Sequence, residues 1–189
     1  MRRIVVSMWT TLDGYAAGPQ DEMDWLVVDD DMMAYETSLV TDAEALLLGR
    51  GTHGDFAGAW PSIARDDAED PATRAYAQRE DGMPKIVVTR SGNTVDWNNT
   101  SRMGTLDADA VAQLKDEGDG DIVVYGSLSV IATLQGLGAV DEYHVLVHPT
   151  AIGRGKPLFA SPARLQLRSV VSFPSGVTLM RYTAAADEE

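Results

Sequence analysis

The sequence predicts an α/β domain with a mixed, mostly parallel sheet flanked by helices and with antiparallel strands at its C-terminal end. Short β-branched runs alternate with helix-like segments up to residue 137, a pattern typical of a parallel sheet. Residues 142–184 then hold three strand-like segments separated by glycine and proline, with no helix between them, which favours antiparallel pairing. The length of 189 residues suits one domain.

The individual elements follow from residue type and periodicity. The predicted strands cover residues 2–9, 44–49, 85–91, 120–127, 142–149, 165–173 and 176–184, with a further short strand and loop in 94–103. The predicted helices cover residues 29–39, 71–79, 107–117 and 128–137. Acids in the first turn, Pro71 near a helix start, Asp107 as an N-cap and glycines after residue 135 mark their ends. From Asp55 to the helix at Pro71 we expect irregular structure.

The domain boundaries follow from the same reading. We expect residues 1–183 to form one domain and the tail "AAADEE", residues 184–189, to be disordered, because it holds only small and acidic residues. "MRRIVVSMW" is interpreted as the first strand, since polar residues interrupt it too soon for a signal peptide.

The composition argues against two classes of partner. The formal net charge of −14 would repel nucleic acid and anionic membrane surfaces, and no apolar run is long enough to span a bilayer. The chain has no cysteine, hence no disulfide and no thiolate nucleophile. We therefore expect a cytoplasmic protein that acts on a small molecule.

Three predicted strands end in cationic or glycine-containing turns. The segments are "LLLGRGT", "IVVTRS" and "IVVYGSLS", which place Arg50, Arg90 and Gly126 at strand ends. In open α/β sheets, ligands bind beyond the carboxyl ends of the strands. Arginine forks and the N–H groups of a following helix both suit phosphate oxygens. Each segment taken alone also fits a plain turn, so together they predict a phosphate-binding α/β domain and no more.

Two common nucleotide motifs are missing. No G-x-G-x-x-G follows the first strand, and no G-K-[ST] is present. A dinucleotide, if one binds, is therefore held without a Rossmann fingerprint or a P-loop.

The order of motifs resembles the dihydrofolate reductase-like superfamily. It runs "SMWTTLDGY", "LLLGRGTH", "KIVVTRS" and "DIVVYGSLSVIATLQGLGAVDEYHVLVHPTAIGRGKPLF". The chain is most similar to stand-alone proteins like the reductase domain of bifunctional riboflavin-biosynthesis deaminase/reductases, from the first strand to about Phe159. The resemblance implies the dihydrofolate reductase-like fold, NADPH as cofactor and a homodimer.

The resemblance also implies the residues that hold the cofactor. They are Gly49, Arg50 and Thr52 at the phosphates, Thr89, Arg90 and Ser91 at the adenosine end with its extra phosphate, and Gly126, Ser127 and Leu128 at the pyrophosphate. Two departures stand out. The last turn commonly has two adjacent glycines, where this chain has Gly126-Ser127, and an aromatic residue is common where His53 stands.

The candidate for chemistry is Asp13. It matches an acid at the substrate pocket of the riboflavin reductases, where a carboxylate would bind a heterocycle edge or manage a proton; Asp13-Gly14 also fits a plain turn. The acid of dihydrofolate reductases sits in the first helix, where Met33 stands here, with Asp31 and Glu36 as the nearest candidates.

The remaining polar and aromatic candidates have structural alternatives. His144 and His148 would lie ~13 Å apart on a strand and do not form a metal pair. His53 could line the cleft. Trp9, Trp25 and Trp60 suit a lid, an acceptor pocket or the core, and Arg154 and Lys156 suit either a substrate phosphate or a turn.

Three functions remain open at this point. The first is an NADPH-dependent reductase of a small heterocyclic or carbonyl substrate, possibly of the riboflavin-biosynthesis type acting on 5-amino-6-(5-phosphoribosylamino)uracil. The second is a non-catalytic nucleotide-binding or sensing module. The third is a dihydrofolate reductase. The deaminase signature of the bifunctional enzymes needs cysteines, so we expect a reductase-like domain alone.

Overall fold

A computed structural model describes residues 1–185. The strands are β1 (Ile4–Thr11), β2 (Tyr15–Ala17), β3 (Ala43–Gly49), β4 (Lys85–Val88), β5 (Thr100–Met103), β6 (Asp121–Val124), β7 (Glu142–His148), β8 (Lys156–Pro157), β9 (Leu165–Ser172) and β10 (Thr178–Ala184). The helices are α1 (Asp30–Asp42), α2 (Arg50–Ile63), α3 (Pro71–Gly82), α4 (Ala108–Asp116) and α5 (Leu128–Gly136).

Eight strands form one sheet in the order β5-β4-β3-β6-β1-β7-β10-β9. The pairs from β5 to β7 are all parallel, while β10 is antiparallel to both β7 and β9. The predicted fold class is thus confirmed, including the antiparallel C-terminal strands. β2 and β8 form a separate two-stranded sheet that the sequence did not indicate.

The core fills both faces of the sheet. One apolar cluster joins inward residues of β1, β6 and β7 to α4 and α5, and includes Ile4, Val124 and Ile131, all 0% exposed. A second lies under α1, α2 and α3, and a third under α1 and β10. Helices on both faces of the central strands explain why those strands are almost purely apolar.

The helix starts largely follow the predicted signals. Asp29 accepts a hydrogen bond from the N–H of Met32 at 2.8 Å, and Asp107 accepts one from Ala110 at 2.9 Å. Asp70 caps α3, with Pro71 in the first turn. These side chains satisfy N–H groups that a helix start leaves free.

The prediction of irregular structure after Asp55 is wrong for residues up to Ile63. They belong to α2, which begins at Arg50 despite three internal glycines and Pro61. Tertiary packing overrides the weak helix propensity: the Trp60 ring lies 5.2 Å from Tyr76 of α3, and the Phe56 ring 6.3 Å from Tyr125. The proline lies in the last turn, near the helix end.

The C-terminal strand extends one residue beyond the predicted end of the domain at residue 183. β10 reaches Ala184, and Ala185 donates its N–H to the carbonyl of Arg164 at 3.0 Å. The remaining residues of the predicted disordered tail, 186–189, lie outside the described residues. Among residues 1–185, none of the helices combines the length and the apolar character that a bilayer crossing requires.

Candidate functional site

A cleft of about 730 Å³ lies at the carboxyl ends of β3, β4, β5 and β6, a size within the usual range for small-molecule sites. We call it the strand-end cleft. Its walls come from four successive strand–loop junctions, and its lining residues are Gly49, Arg50, Gly51, Val88, Thr89, Arg90, Ser91, Gly104, Thr105, Leu106, Ser127, Ser129, Val130 and Thr133. Six of the nine residues expected to hold the cofactor are among them: Gly49, Arg50, Thr89, Arg90, Ser91 and Ser127.

Two exposed arginines supply the positive charge of the strand-end cleft. Arg50 is the first residue of α2, directly after β3, and Arg90 is the second residue after the end of β4. Within residues 1–185, neither guanidinium has a carboxylate within 4.0 Å. In a chain of net charge −14, two uncompensated cations in one cleft are suited to an anionic ligand.

The first turn of α5 adds backbone donors. Val130 and Ile131 donate their N–H groups to the carbonyl of Ser127. The N–H groups of Leu128 and Ser129 have no hydrogen-bond partner in the described part of the chain. Free N–H groups and the positive end of the helix dipole both favour a phosphate there.

The turn before α5 needs one glycine, and it has one. Gly126 has φ +54, in the left-handed region, whereas Ser127 has φ −30. The serine that replaces the second glycine therefore carries no left-handed strain. Its hydroxyl lies 3.1 Å from Oγ1 of Thr52, so it ties the start of α5 to the first turn of α2.

Gly49 is required by this close approach. A Cβ on Gly49 would lie 2.0 Å from Oγ and 2.5 Å from Cβ of Ser127. Its φ of −82 is open to any residue, so space rather than backbone conformation selects the glycine. The ends of β3 and β6 can thus come together at the floor of the strand-end cleft.

The turn after β4 is held by its own hydroxyls. Thr89 Oγ1 accepts the N–H of Ser91 at 3.2 Å and lies 3.1 Å from Ser91 Oγ. This arrangement leaves Arg90 exposed at the tip of the turn. The three residues form one wall of the strand-end cleft.

Three of the expected cofactor residues lie beside the cleft rather than in its lining. Thr52 supports Ser127 from behind, and Gly126 forms the turn. Leu128 packs its side chain against the core under α5. Their proposed part is to shape the turn and present backbone groups.

Asp13 lies outside the lining of the strand-end cleft. It is exposed, and its carboxylate accepts the N–H groups of Gly153 at 2.7 Å and Ile152 at 3.3 Å. Hydrogen bonds from Thr11 and from these amides lower the pKa of Asp13. The carboxylate thus fixes the turn after β1 against the loop before β8, and a catalytic part for Asp13 stays a proposal.

The remaining candidates are placed by packing. His53 does not line the strand-end cleft: it is fully buried, its ring lies 5.5 Å from Trp97, and burial lowers its pKa. Trp25 is buried against His148, while Trp9 and Trp60 are half-buried. Lys156 pairs with Asp21, which supports the interpretation of its loop as a turn.

The face of the sheet under α1 carries polar groups that the sequence did not identify as a set. Glu36 is 1% exposed; Trp9 Nε1 donates to its Oε1 at 2.7 Å, and the Tyr125 hydroxyl donates to its Oε2 at 2.7 Å. Burial raises the pKa of Glu36. His148 Nδ1 accepts the N–H of Val27 at 3.2 Å, and burial lowers the pKa of His148 to about 4. Met33, by contrast, packs with apolar neighbours.

Sequence reasoning missed the third wall of the cleft. Gly104, Thr105 and Leu106 follow β5, and the only local signal was the glycine after "TSRM". The burial of Glu36 had no local signal, because it depends on donors 27 and 89 residues away.

The fold and the site together define a dihydrofolate reductase-like domain with a cationic cleft at its strand ends. The family model of the RibD C-terminal domain matches residues 2–179. The chain belongs to this family.

Comparisons with individual proteins agree. The chain is 32% identical over 184 residues to the Bacillus subtilis (strain 168) protein YyaP, itself uncharacterized, covering 96% of this chain and 94% of that protein. A pyrimidine reductase-like protein from Corynebacterium diphtheriae superposes with a TM-score of 0.61 at 19% identity, covering 98% of this chain and 93% of the other.

A bifunctional enzyme from Thermotoga maritima also superposes. It is a diaminohydroxyphosphoribosylaminopyrimidine deaminase/5-amino-6-(5-phosphoribosylamino)uracil reductase, with a TM-score of 0.64 and 16% identity. The superposition covers 97% of this chain and 57% of the enzyme. At such identities the likeness shows the fold alone.

Proposed function

We propose that this protein is an NADPH-dependent reductase of a small heterocyclic or carbonyl substrate, of the type found in riboflavin biosynthesis. The observation that carries the proposal is the strand-end cleft with two uncompensated arginines and a free helix N-terminus. Membership of the RibD C-terminal domain family supports the same reaction class. We further propose that it works in the cytoplasm.

The residues present fit NADPH. Arg90, exposed on the turn after β4, would hold the extra phosphate of the adenosine end. Arg50 and the N–H groups of Leu128 and Ser129 would hold the pyrophosphate. The close contact of Gly49 with Ser127 lets backbone and hydroxyl groups line the floor.

The cofactor supplies the hydride when it is bound. This chain's own task is to fix the phosphates and to orient the nucleotide along the strand ends. An acceptor reduced by hydride also takes up a proton, and Asp13 remains our proposal for the group that manages it.

Calorimetric titration with NADPH and NADH tests the cofactor assignment. We expect wild type to prefer NADPH, because only NADPH carries the extra phosphate. Arg90→Ala should remove about 10- to 100-fold of the affinity for NADPH and little of that for NADH, since a hydrogen bond to a charged group contributes about 1.5–3 kcal/mol. Arg50→Ala should weaken both.

Arg154→Ala is the matched control, because Arg154 is exposed and lies outside the lining of the strand-end cleft. If wild type binds neither dinucleotide, the cofactor assignment is wrong. If wild type binds NADPH, its consumption on adding pterins, pyrimidines or quinones would identify the acceptor, and the loss of that consumption in Asp13→Ala would support the proposal for that residue.

A nucleotide-binding module without turnover is the second candidate. Met33, which stands where dihydrofolate reductases have their acid, packs with apolar neighbours and offers no proton, which favours binding without turnover. NADPH binding without oxidation by any acceptor would support it. A dihydrofolate reductase, the third candidate, predicts tight methotrexate binding.

The expected homodimer also remains a proposal. Among the described strands, β9 is an edge strand that pairs only with β10, and it exposes Leu167, Val170 and Val171. An apolar edge strand of this kind is a surface that a second copy would cover. Analytical ultracentrifugation of wild type and Val170→Lys tests it, with a monomeric wild type as the contrary result.

A further inference from the structure

Glu36 is a buried carboxylate without a cation. Its side chain is 1% exposed, and in the described chain no lysine, arginine or histidine nitrogen lies within 4.0 Å of it. Taking a carboxylate out of water costs several kcal/mol. Its two hydrogen bonds, to Trp9 and Tyr125, offset part of this cost. We call these three residues the Glu36 network.

The two donors lie at the carboxyl ends of adjacent parallel strands. Trp9 belongs to β1, and Tyr125 directly follows β6, which pairs with β1 through Val6 and Val124. The next residue is Gly126, and then Ser127 of the strand-end cleft. Glu36 therefore connects α1 to two strand ends just beyond the cleft.

The order of the strands gives the direction in which a bound dinucleotide extends. The cleft already covers the ends of β5, β4, β3 and β6, and β5 is the edge of the sheet. Beyond β6 the next strand end is that of β1. With its phosphates on Arg50, Arg90 and α5, a dinucleotide would extend past Gly126 toward the half-buried Trp9 and Tyr125.

We propose that Glu36 is a positioning residue for the reacting half of the nucleotide. By holding the Trp9 indole and the Tyr125 phenol, it shapes the surface against which that half and the hydride acceptor lie. The inference rests on the proposed function and adds to it a residue outside the phosphate-binding wall.

Two substitutions separate this part from general support of the fold. Glu36→Gln keeps the size of the side chain and removes its charge. The indole N–H is a donor only, so the amide oxygen stays on Trp9, the amide nitrogen faces Tyr125, and the phenol must rotate to accept. Tyr125→Phe removes the phenol hydroxyl and leaves the ring.

Tyr76→Phe is the matched control. Tyr76 is also buried, and its hydroxyl donates to a buried carboxylate, Glu80 Oε1, at 2.9 Å. It lies on α3 and makes no hydrogen bond to Glu36. Losing this hydroxyl removes a bond of the same chemistry beside Tyr125 and leaves both hydrogen bonds of Glu36 in place.

The experiment compares a whole dinucleotide with half of one. Wild type and the three variants are titrated with NADPH and with 2′,5′-ADP, which carries only the adenosine end and its extra phosphate. We expect 2′,5′-ADP to bind all four proteins within twofold. NADPH should bind about tenfold more weakly to Glu36→Gln and Tyr125→Phe, and with unchanged affinity to Tyr76→Phe.

Three results would overturn the inference. Equal weakening of both ligands would show that Glu36 supports the fold in general, and unchanged NADPH binding would show that it positions nothing. Wild type that binds neither ligand would remove the proposed function and this inference together, whereas the first two results leave the proposed function standing. Circular dichroism and thermal unfolding test whether each variant is folded. If Glu36→Gln does not fold, the titrations of Tyr125→Phe test the inference.

Discussion

The strand-end cleft exposes its charged side chains to water, whereas the polar groups under α1 are buried. In the cleft, Arg50 and Arg90 are exposed and, within residues 1–185, unpaired by carboxylates. Under α1 and α3, Glu36, Glu80 and His148 are at most 1% exposed, and within the described chain they hydrogen-bond only to uncharged groups. Water stabilises charges that await a ligand, whereas buried groups shift their pKa values. The cleft is thus prepared for anions, and the buried face is sensitive to pH.

The largest expected effect concerns the floor of the cleft. Gly49→Ala should destabilise the protein by about 3 kcal/mol, because the new Cβ would meet Ser127 at 2.0 Å and 2.5 Å and overpacking costs about 1–3 kcal/mol. Urea unfolding measures the change. The double variant Gly49→Ala/Ser127→Gly should recover most of it, since the next atom, Cγ2 of Val130, is 3.4 Å away. No recovery would mean that the clash is not the cause.

The second prediction concerns Glu80 on the buried face. Burial raises the pKa of Glu80 to about 7, and its Oε2 has no hydrogen-bond partner. A raised carboxyl pKa means that the charged form is disfavoured in the folded state, so stability falls as pH rises from the unfolded value toward 7. We therefore compare the free energies of unfolding of Glu80→Gln and wild type. The difference between them should shift in favour of the variant by about 2 kcal/mol from pH 5 to pH 8. Equal effects at both pH values would contradict this.

His148 should show the opposite pH dependence. Its pKa is lowered to about 4 by burial, below the ordinary value near 6.5. Its stability contribution is therefore present above the unfolded value and lost as pH falls, by about 2 kcal/mol between pH 7 and pH 5.

His148→Asn serves as the control for this loss, because its amide oxygen offers Val27 an acceptor and does not titrate. Thermal unfolding at both pH values compares the two proteins. A wild type whose acid sensitivity equals that of the variant would rule out His148 as the cause.

The smallest expected effect returns to the cleft. Thr52→Val removes the hydroxyl that lies 3.1 Å from Ser127 Oγ and should cost about 1 kcal/mol, the usual net worth of a neutral hydrogen bond. Thr52→Ser keeps the hydroxyl and should change stability by only a few tenths of that. Chemical denaturation resolves the difference, and a loss in Thr52→Ser as large as that in Thr52→Val would show that the hydroxyl does not account for the effect.

Most of the fold was predictable because its signals are local. Strand-like runs marked seven of the eight strands of the main sheet, and β5 lies within the short strand and loop expected in 94–103. Asp29 and Asp107 cap helices as their positions suggested. The exceptions are α2 and the small β2–β8 sheet. Their residues have weak intrinsic preferences, and contacts with distant parts of the chain decide their structure.

In the candidate site, too, some residues were identifiable from local sequence, and others are placed by distant contacts. Arg50 and Arg90 were identifiable because parallel strands must end at one edge of a sheet, and the structure brings both into one cleft. His53 follows Thr52 in the sequence, yet the turn of α2 buries it against Trp97. Asp13 was identifiable as a turn residue, but its amide partners lie 139 and 140 residues away.

The sequence by itself determined the strand and helix pattern, the parallel-then-antiparallel sheet, the negative net charge and the placing of cations at strand ends. These depend on residue type and short spacing, which act within a few residues. Only the tertiary structure decided that Ser127 meets Gly49, that Glu36 is buried between Trp9 and Tyr125, and that Glu80 and His148 shift their pKa values in opposite directions. Those properties depend on burial and on partners distant in the chain, and no local pattern specifies either.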